Sequence, residues 1–182
     1  MLAKILSGTI QGIEARLIEV EVDISLGLPA FNIVGLPEAA IKESKERVKA
    51  IRNPGYEVPS RKITVNLAPA DLRKEGSGLD LPIALGVLLA TGRIKPKREG
   101  YLFAGELFLD GRLKPIRGTL SLATLAKDQK LRGMVLPEAN AREAAVVRDL
   151  EGTQPPHDRP SGIGEDHARP QAPRNPPAAD PR

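Results

Sequence analysis

Residues 72–90 read LRKEGSGLDLPIALGVLLA and place a charged, glycine-bearing loop directly before a strongly apolar helix. One chemistry that suits this pattern is anion binding. Gly76 and Gly78 would let a phosphate approach the backbone, and the first N–H groups of the helix would bind it. Arg73 and Lys74 would add positive charge.

The same loop could instead serve catalysis or helix capping. Ser77 would need a base, and a Ser-His-Asp arrangement is excluded because both histidines, His157 and His167, lie in the C-terminal segment. A Ser-Lys pair stays possible, although no lysine is singled out by its spacing. Asp80 stands where a bound anion would lie and can accept the helix N–H groups itself, and Pro82 suits a first turn. We therefore predict a helix-capping turn.

Composition excludes several other functions. The chain has no cysteine, which excludes disulfides, thiol catalysis and cysteine-based zinc sites. It has no Gly-Lys dipeptide and hence no G-x-x-x-x-G-K-[ST] motif, so we expect no Walker-type nucleotide hydrolysis. Aromatic residues make up 3% of the chain, which leaves little material for base stacking. Glu14, Glu19 and Glu21 alternate along a strand as a solvent face does, and we predict no metal site.

Positive charge favours contact with nucleic-acid phosphates. The formal net charge is +4, and residues 152–182 carry equal numbers of basic and acidic side chains, so the excess belongs to residues 1–151. A further basic run extends from Arg93 to Arg98. The candidate nucleic-acid or anion contacts are Lys42, Lys45, Lys49, Arg52, Arg61, Lys62, Arg73 and Lys74.

Hydrophobic alternation predicts a sheet that begins early in the chain. Residues 18–25 alternate between apolar and polar, and the preceding residues alternate in the opposite phase, which predicts a β-bulge at Leu17–Ile18. A turn at Gln11–Gly12 would join this strand to the one before it. Asp110–Gly111 between apolar runs predicts a two-residue hairpin turn.

Helical patterns alternate with these strands. Pro37 suits the start of a helix whose buried face carries Ile41, Val48 and Ile51. Further helices follow the glycine-bearing loop and the hairpin, and a last one precedes residue 151. The order of elements predicts a mixed α/β sandwich.

A change of composition near Glu151 marks the expected boundary of the domain. Residues 1–150 form the predicted domain, whereas residues 151–182 contain eight prolines and a single large aliphatic residue, and we predict that they are disordered. The sequence shows no signal-peptide pattern and no apolar run long enough to cross a bilayer. We expect a soluble cytoplasmic protein without membrane contact.

Three stretches carry a family resemblance: LPAFNIVGLPEAAIKESKERVKA, PSRKITVNLAPADLRKEGSGLDLPIALGVL and GELFLDGRLKPIRG. They resemble the N-terminal domain of the YifB/ComM family of magnesium-chelatase-like AAA+ ATPases, and the resemblance covers residues 1–150. It implies a ChlI-type, Lon-protease-like domain with the α/β (α+β) two-layer sandwich of domain two of ribosomal small-subunit protein five. In that family an ATPase module that uses ATP and Mg²⁺ follows, and ComM members are hexameric helicases for DNA branch migration in natural transformation.

The likeness to Lon bears on the loop. Lon reads Lys-Asp-Gly-Pro-Ser-Ala-Gly around its nucleophile, and the aligned stretch KEGSGLD places Gly78 at the nucleophile and Leu120 at the position of the catalytic lysine. A shift by one residue offers Ser77 but still no lysine. The resemblance thus implies a degenerate loop without peptidase activity, and a Lon-like peptidase that uses Ser77 is the alternative. The loop comprises Lys74, Glu75, Gly76, Ser77 and Gly78.

Full-length family members continue into Walker motifs, whereas this chain changes composition at residue 151. We interpret it as a product truncated before the ATPase module, with a tail derived from a frameshift. The expected function is a non-catalytic accessory domain without a cofactor of its own. Its expected partners are DNA, which it would bind weakly, and a second copy or the AAA+ module.

Overall fold

The structure is a computed structural model that describes residues 2–49, 51, 55–56, 58–95 and 99–149. A short 3-10 helix at Glu138–Asn140 precedes the last α-helix. In chain order the described elements are β1 (Leu2–Gln11), β2 (Glu14–Ser25), β3 (Ala30–Val34), α1 (Ala39–Lys49), β4 (Lys62–Ala68), α2 (Asp80–Ala90), β5 (Tyr101–Phe103), β6 (Glu106–Leu107), β7 (Leu113–Lys114), α3 (Thr119–Asp128), β8 (Gly133–Val135) and α4 (Ala141–Asp149).

The main sheet is mixed and has the strand order β3-β4-β2-β1-β5-β8. Its centre, β4-β2-β1, is antiparallel, whereas β3 runs parallel to β4, and β5 runs parallel to both β1 and β8. Strands β6 and β7 form a separate hairpin. The prediction of a mixed α/β fold is confirmed. The predicted disordered segment, residues 151–182, lies outside the described residues.

Strands β1 and β2 pair without interruption from Leu2↔Asp23 to Gln11↔Glu14, so the predicted bulge at Leu17–Ile18 is wrong. The apolar pattern changes phase there because both faces of β2 are covered. Ile18 belongs to the large core on one face, whereas Leu17 packs against a second cluster on the other face.

Helices cover the two faces of the sheet, and glycines let them approach closely. On the larger core, a Cβ on Gly86 of α2 would lie 2.5 Å from Val22 Cγ2. On the opposite face, a Cβ on Gly8 would lie 2.5 Å from Leu122 of α3. Helix α3 therefore adds a partial third layer to the expected two.

The Asp110 hairpin is present, but its turn is longer than two residues. The last strand pair is Leu107↔Leu113, and the Phe108 N–H donates to the Arg112 carbonyl at 2.9 Å. The Asp110 carboxylate accepts the Arg112 N–H at 3.0 Å. Aspartate often stabilises turns in this way, and the hairpin here does so without a type I′ turn.

Pro37 does not begin α1, contrary to the prediction. It forms an isolated parallel bridge with Lys74, and the helix begins two residues later, at Ala39. The predicted buried face is confirmed, since Ile41, Val48 and Ile51 are all buried. Among the described helices, none has both the length and the apolar character needed to cross a membrane.

We predict that Gly86→Ala destabilises the domain although alanine favours helices. The new methyl would press on Val22, whose β-branched side chain is fully buried and cannot turn away. The expected loss is about 1–3 kcal/mol of unfolding free energy. Chemical denaturation followed by circular dichroism measures it. The double variant Gly86→Ala/Val22→Ala should recover part of the loss, and a stabilised Gly86→Ala variant would contradict the close packing.

Candidate functional site

The loop between β4 and α2 is fixed by backbone hydrogen bonds. Lys74 donates its N–H to the Leu36 carbonyl (3.2 Å) and accepts the Glu38 N–H (3.1 Å). The Glu75 N–H donates to Thr9 Oγ1 at 3.0 Å. The loop is thus held against the segment before α1 and against β1, so its side chains have set directions.

The end of the loop is tied to the connection between β5 and β6. The Gly105 N–H donates to the Gly78 carbonyl at 2.8 Å, and the Leu81 N–H donates to the Gly105 carbonyl at 2.9 Å. This reciprocal pair of hydrogen bonds aligns the start of α2 with β6.

Asp80 does not cap α2, so the capping prediction is wrong. The helix begins at Asp80 itself, and Leu79 occupies the N-cap position without a side-chain hydrogen bond. The Asp80 carboxylate is fully buried and accepts hydrogen bonds from Ser44 Oγ, from Arg47 Nε at 2.5 Å and from the Leu107 N–H at 3.0 Å. A second Arg47 nitrogen lies 3.2 Å from the other carboxylate oxygen.

Sequence reasoning missed the two α1 residues that bind Asp80. One signal was available, because Ser44 lies on the same helical stripe as Ile41 and Val48 and is a polar residue among buried ones. A hydroxyl in that position needs a buried partner. The partner of Arg47 had no local signal, since Asp80 is 33 residues further along the chain.

We predict that Asp80→Asn lowers the unfolding free energy by about 3–5 kcal/mol, because it leaves the largely buried Arg47 guanidinium without its counter-charge. Glu43→Gln is the matched control. Glu43 is exposed and lies 3.9 Å from the same guanidinium, so its loss should cost about 0–1 kcal/mol. Urea denaturation of both variants measures the difference, and equal effects would contradict a structural role for Asp80.

An open cleft of about 640 Å³ lies over the loop, between the end of β1 and the segment that precedes α3. The Ser77 hydroxyl donates to one Glu106 oxygen, and Lys114 Nζ donates to the other at 2.9 Å. Arg117 lines the same cleft. Sequence reasoning missed Glu106 and Lys114. A signal was available, because both residues are equally far from Asp110 in the chain, and a hairpin centred on Asp110 pairs them across its two strands.

The cleft is poorly equipped to activate Ser77. Burial raises the pKa of Glu106, but hydrogen bonds from Ser77 and Lys114 outweigh it, so this pKa lies below its ordinary value. A pKa below its ordinary value makes this carboxylate a weaker general base near neutral pH. Ser77 and Lys114 bind different oxygens of Glu106, which places the carboxylate between them.

The two cations expected to support an anion cradle do not line the cleft. Lys74 is fully buried, and its Nζ donates to the Pro69 carbonyl. Arg73 pairs with Glu38 at 2.7 Å on the protein surface. Burial takes Lys74 out of the proposed set of nucleic-acid contacts. Within the described residues, no group of three or more His, Cys, Asp or Glu side chains could hold a metal ion.

We predict that Lys74 makes stability rise with pH. Burial lowers its pKa in the folded state and outweighs the opposing charge of Asp71, so the unfolded chain binds more protons. The unfolding free energy of the natural chain, relative to Lys74→Met, should therefore increase as the pH approaches about 10. Denaturation of both proteins from pH 7 to 10 measures this difference, and a constant difference would contradict a depressed pKa.

The structure brings several predicted basic residues together beside α1. Lys42, Lys45 and Lys49 recur along one stripe of the helix, and the first two are exposed. Lys49 and Arg61 line the same groove of about 190 Å³, and Lys62 follows at the start of β4. We call the surface formed by Lys45, Lys49 and Arg61 the basic groove. Lys62 alternates with the buried Ile63 along β4, so its side chain lies on the other face of the sheet and outside this surface.

The remaining basic candidates are placed differently. Arg52 lies outside the described residues, as do Lys97 and Arg98. Lys49 Nζ lies 3.2 Å from Glu46, but this exposed pair is worth little and a phosphate can compete with it.

Comparison with known proteins decides the family. The family model described as subunit ChlI of Mg-chelatase matches residues 20–140, which include β4, the loop, α2 and the hairpin. The chain belongs to this family. The match includes Asp80 with its partners Ser44 and Arg47, and also the loop that lines the cleft.

Individual relatives agree with this assignment. The chain is 41% identical over 150 residues to the competence protein ComM of Haemophilus influenzae, which is 81% of this chain and 29% of ComM. It is 51% identical over 138 residues to YifB of Escherichia coli and 46% identical to YifB of Salmonella typhimurium, in each case 75% of this chain and 27% of the relative. The chain thus spans less than a third of the length of these curated relatives.

Proposed function

We propose that this chain is a non-catalytic accessory domain of a magnesium-chelatase-like AAA+ ATPase that contacts DNA phosphates through the basic groove. The observation that carries the proposal is the convergence of Lys49 and Arg61 on one groove, with Lys45 one helical turn away. Cations spaced along a surface groove suit a nucleic-acid backbone, whose charge repeats regularly.

The composition and one relative support this function. With few aromatic residues, contact would be electrostatic and independent of sequence, which suits a domain that positions DNA for a motor and does not read bases. One relative is named competence protein ComM, and we propose that this chain serves a similar role. In this proposal ATP and Mg²⁺ act in the ATPase module of full-length relatives.

We describe the domain as non-catalytic because of the arrangement of charged groups around Ser77 in the cleft. Ser77 faces a carboxylate with a lowered pKa, and the Lys114 ammonium neutralises that carboxylate. A serine peptidase needs a base that can take the hydroxyl proton near neutral pH. Casein cleavage that Ser77→Ala abolishes would contradict this part of the proposal.

We predict that Arg61→Glu weakens DNA binding and reduces its dependence on salt. Each phosphate contact that is lost should lower the slope of log affinity against log salt by about 0.9 for duplex DNA. Fluorescence anisotropy with single-stranded and duplex oligonucleotides, titrated at several salt concentrations, measures both quantities.

Arg142→Glu is the matched control, because it makes the same change of charge at an exposed position on α4. It should retain the salt slope of the natural chain, apart from a small uniform loss of affinity. Equal losses in the two variants would contradict the basic groove as the contact surface. A natural chain that fails to bind DNA even at low salt would contradict DNA binding altogether.

A further inference from the structure

Strand β3 forms one edge of the sheet and leaves backbone groups facing outward. The Ala30 N–H donates to the Arg61 carbonyl at 3.3 Å, and Ala30 is in register with Lys62 of β4. Backbone groups alternate in direction along a strand, so Phe31 and Ile33 direct their N–H and C=O groups away from the sheet. These groups can form hydrogen bonds with another strand.

This edge lacks the charged side chains that often prevent pairing between sheets. Residues 26–37 contain no charged side chain, and the strand itself contains no proline. Edge strands are usually protected by lysines, prolines, bulges or short length. Leu28 and Leu36, which flank β3, are 88% and 55% exposed, and Val34 is 47% exposed. These apolar side chains lie on either side of the exposed Asn32.

The sequence of this edge is self-complementary about Asn32. In LPAFNIVGL, residues at equal distances on either side of the central asparagine have similar character. An antiparallel copy centred there would therefore match the apolar side chains next to Asn32, whereas Pro29 would oppose Gly35. The matched pairs are Phe31 with Ile33, Ala30 with Val34, and Leu28 with Leu36.

The direction of the backbone groups agrees with the same register. If two β3 strands pair in antiparallel orientation about Asn32, Phe31 of each copy opposes Ile33 of the other as a hydrogen-bonded pair. This arrangement forms four hydrogen bonds from the groups that face outward. Asn32 then opposes its own copy in a non-hydrogen-bonded pair, in which the side chains approach most closely.

We propose that a second copy of this chain docks along β3 in antiparallel orientation, about a two-fold axis at Asn32. The dimer continues the main sheet from one copy into the other, and its interface is isologous, since each copy contributes the same surface. The groove and the edge share Pro29, Ala30 and Phe31, but pairing along β3 uses none of the basic side chains. Failure of DNA binding would therefore leave this interface standing.

Asn32→Lys tests the axis, because it places two like charges directly opposite each other. Sedimentation velocity of the full chain over a range of concentrations should show a dimer. The variant should raise the dimer dissociation constant at least about tenfold, which corresponds to roughly 1.4 kcal/mol. Gln129→Lys is the control, because it adds the same charge to an exposed amide at the end of α3 and should leave the constant unchanged.

A cysteine tests the geometry directly, because the chain contains none. Opposed residues of a non-hydrogen-bonded antiparallel pair have Cα atoms about 4.5 Å apart, within the range for a disulfide. Asn32→Cys should therefore form a covalent dimer under mild oxidation, whereas Gln129→Cys should remain largely monomeric on a non-reducing gel.

Circular dichroism confirms that each variant is folded before these results are compared. A natural chain that is monomeric at the highest concentration reached would overturn the proposal. So would a dimer that Asn32→Lys leaves intact, or one in which the two cysteine variants cross-link equally, because each result places the contact elsewhere. A dimer that is weakened by Asn32→Lys and cross-linked through Asn32→Cys supports the proposed axis.

Discussion

The buried carboxylate of Asp80 is the interaction on which the arrangement of this domain depends. A charge that is removed from water is tolerated only when polar groups replace its hydration. Here α1 supplies the Arg47 guanidinium and the Ser44 hydroxyl, while β6 supplies the Leu107 N–H. One side chain at the start of α2 thereby joins two helices and the hairpin. Its position also sets the ends of the loop that precedes it, because Gly78 and Leu81 bind the backbone beside β6.

The cleft follows from this constraint. Once α2 and β6 are aligned, Ser77 lies beside Glu106, and the hairpin register brings Lys114 to the same carboxylate. Glu75, Glu106, Lys114 and Arg117 line the cleft with balanced charge. Glu106 and Lys114 neutralise each other, which reduces the attraction of the cleft for an anion. The positive character of the domain is expressed elsewhere, along α1 and the start of β4.

Sequence patterns predicted the parts of this fold that depend on local periodicity. Alternation located β2 and β4, helical spacing gave the buried face of α1, and Asp110–Gly111 located the hairpin. Two of the errors concern tertiary contacts that no local pattern reveals. Asp80 resembled a cap because the sequence does not show that Arg47 reaches it. Lys74 resembled a surface cation because burial of a lysine beside a backbone carbonyl leaves no local pattern.

The change of phase at Leu17 illustrates the same limit for the sheet. Two adjacent apolar residues in a strand indicate either a bulge or a strand that is covered on both faces, and local periodicity does not distinguish these cases. The uninterrupted pairing of β2 with β1 shows that this strand has no bulge and is covered on both faces. The sequence accordingly identified the loop and several basic residues of the candidate site. It did not show which residues contact them, and Ser44, Arg47, Glu106 and Lys114 became evident only in the folded structure.

The basic groove and the edge at β3 are neighbours, and their proximity has a consequence for DNA contact. Pro29, Ala30 and Phe31 line the groove and also begin the edge. A two-fold axis between antiparallel strands is perpendicular to the sheet, so it would keep both grooves on one face. Ala30 of one copy lies opposite Val34 of the other, so the two Ala30 residues are about 13 Å apart along the strands, while β4 and its copy lie three strand spacings, roughly 14 Å, apart across them. Two weak electrostatic sites held that close act on one duplex as a single stronger site, since binding at the first raises the effective concentration at the second. Pairing at an uncharged edge would thus strengthen a DNA contact without adding any cation to the chain.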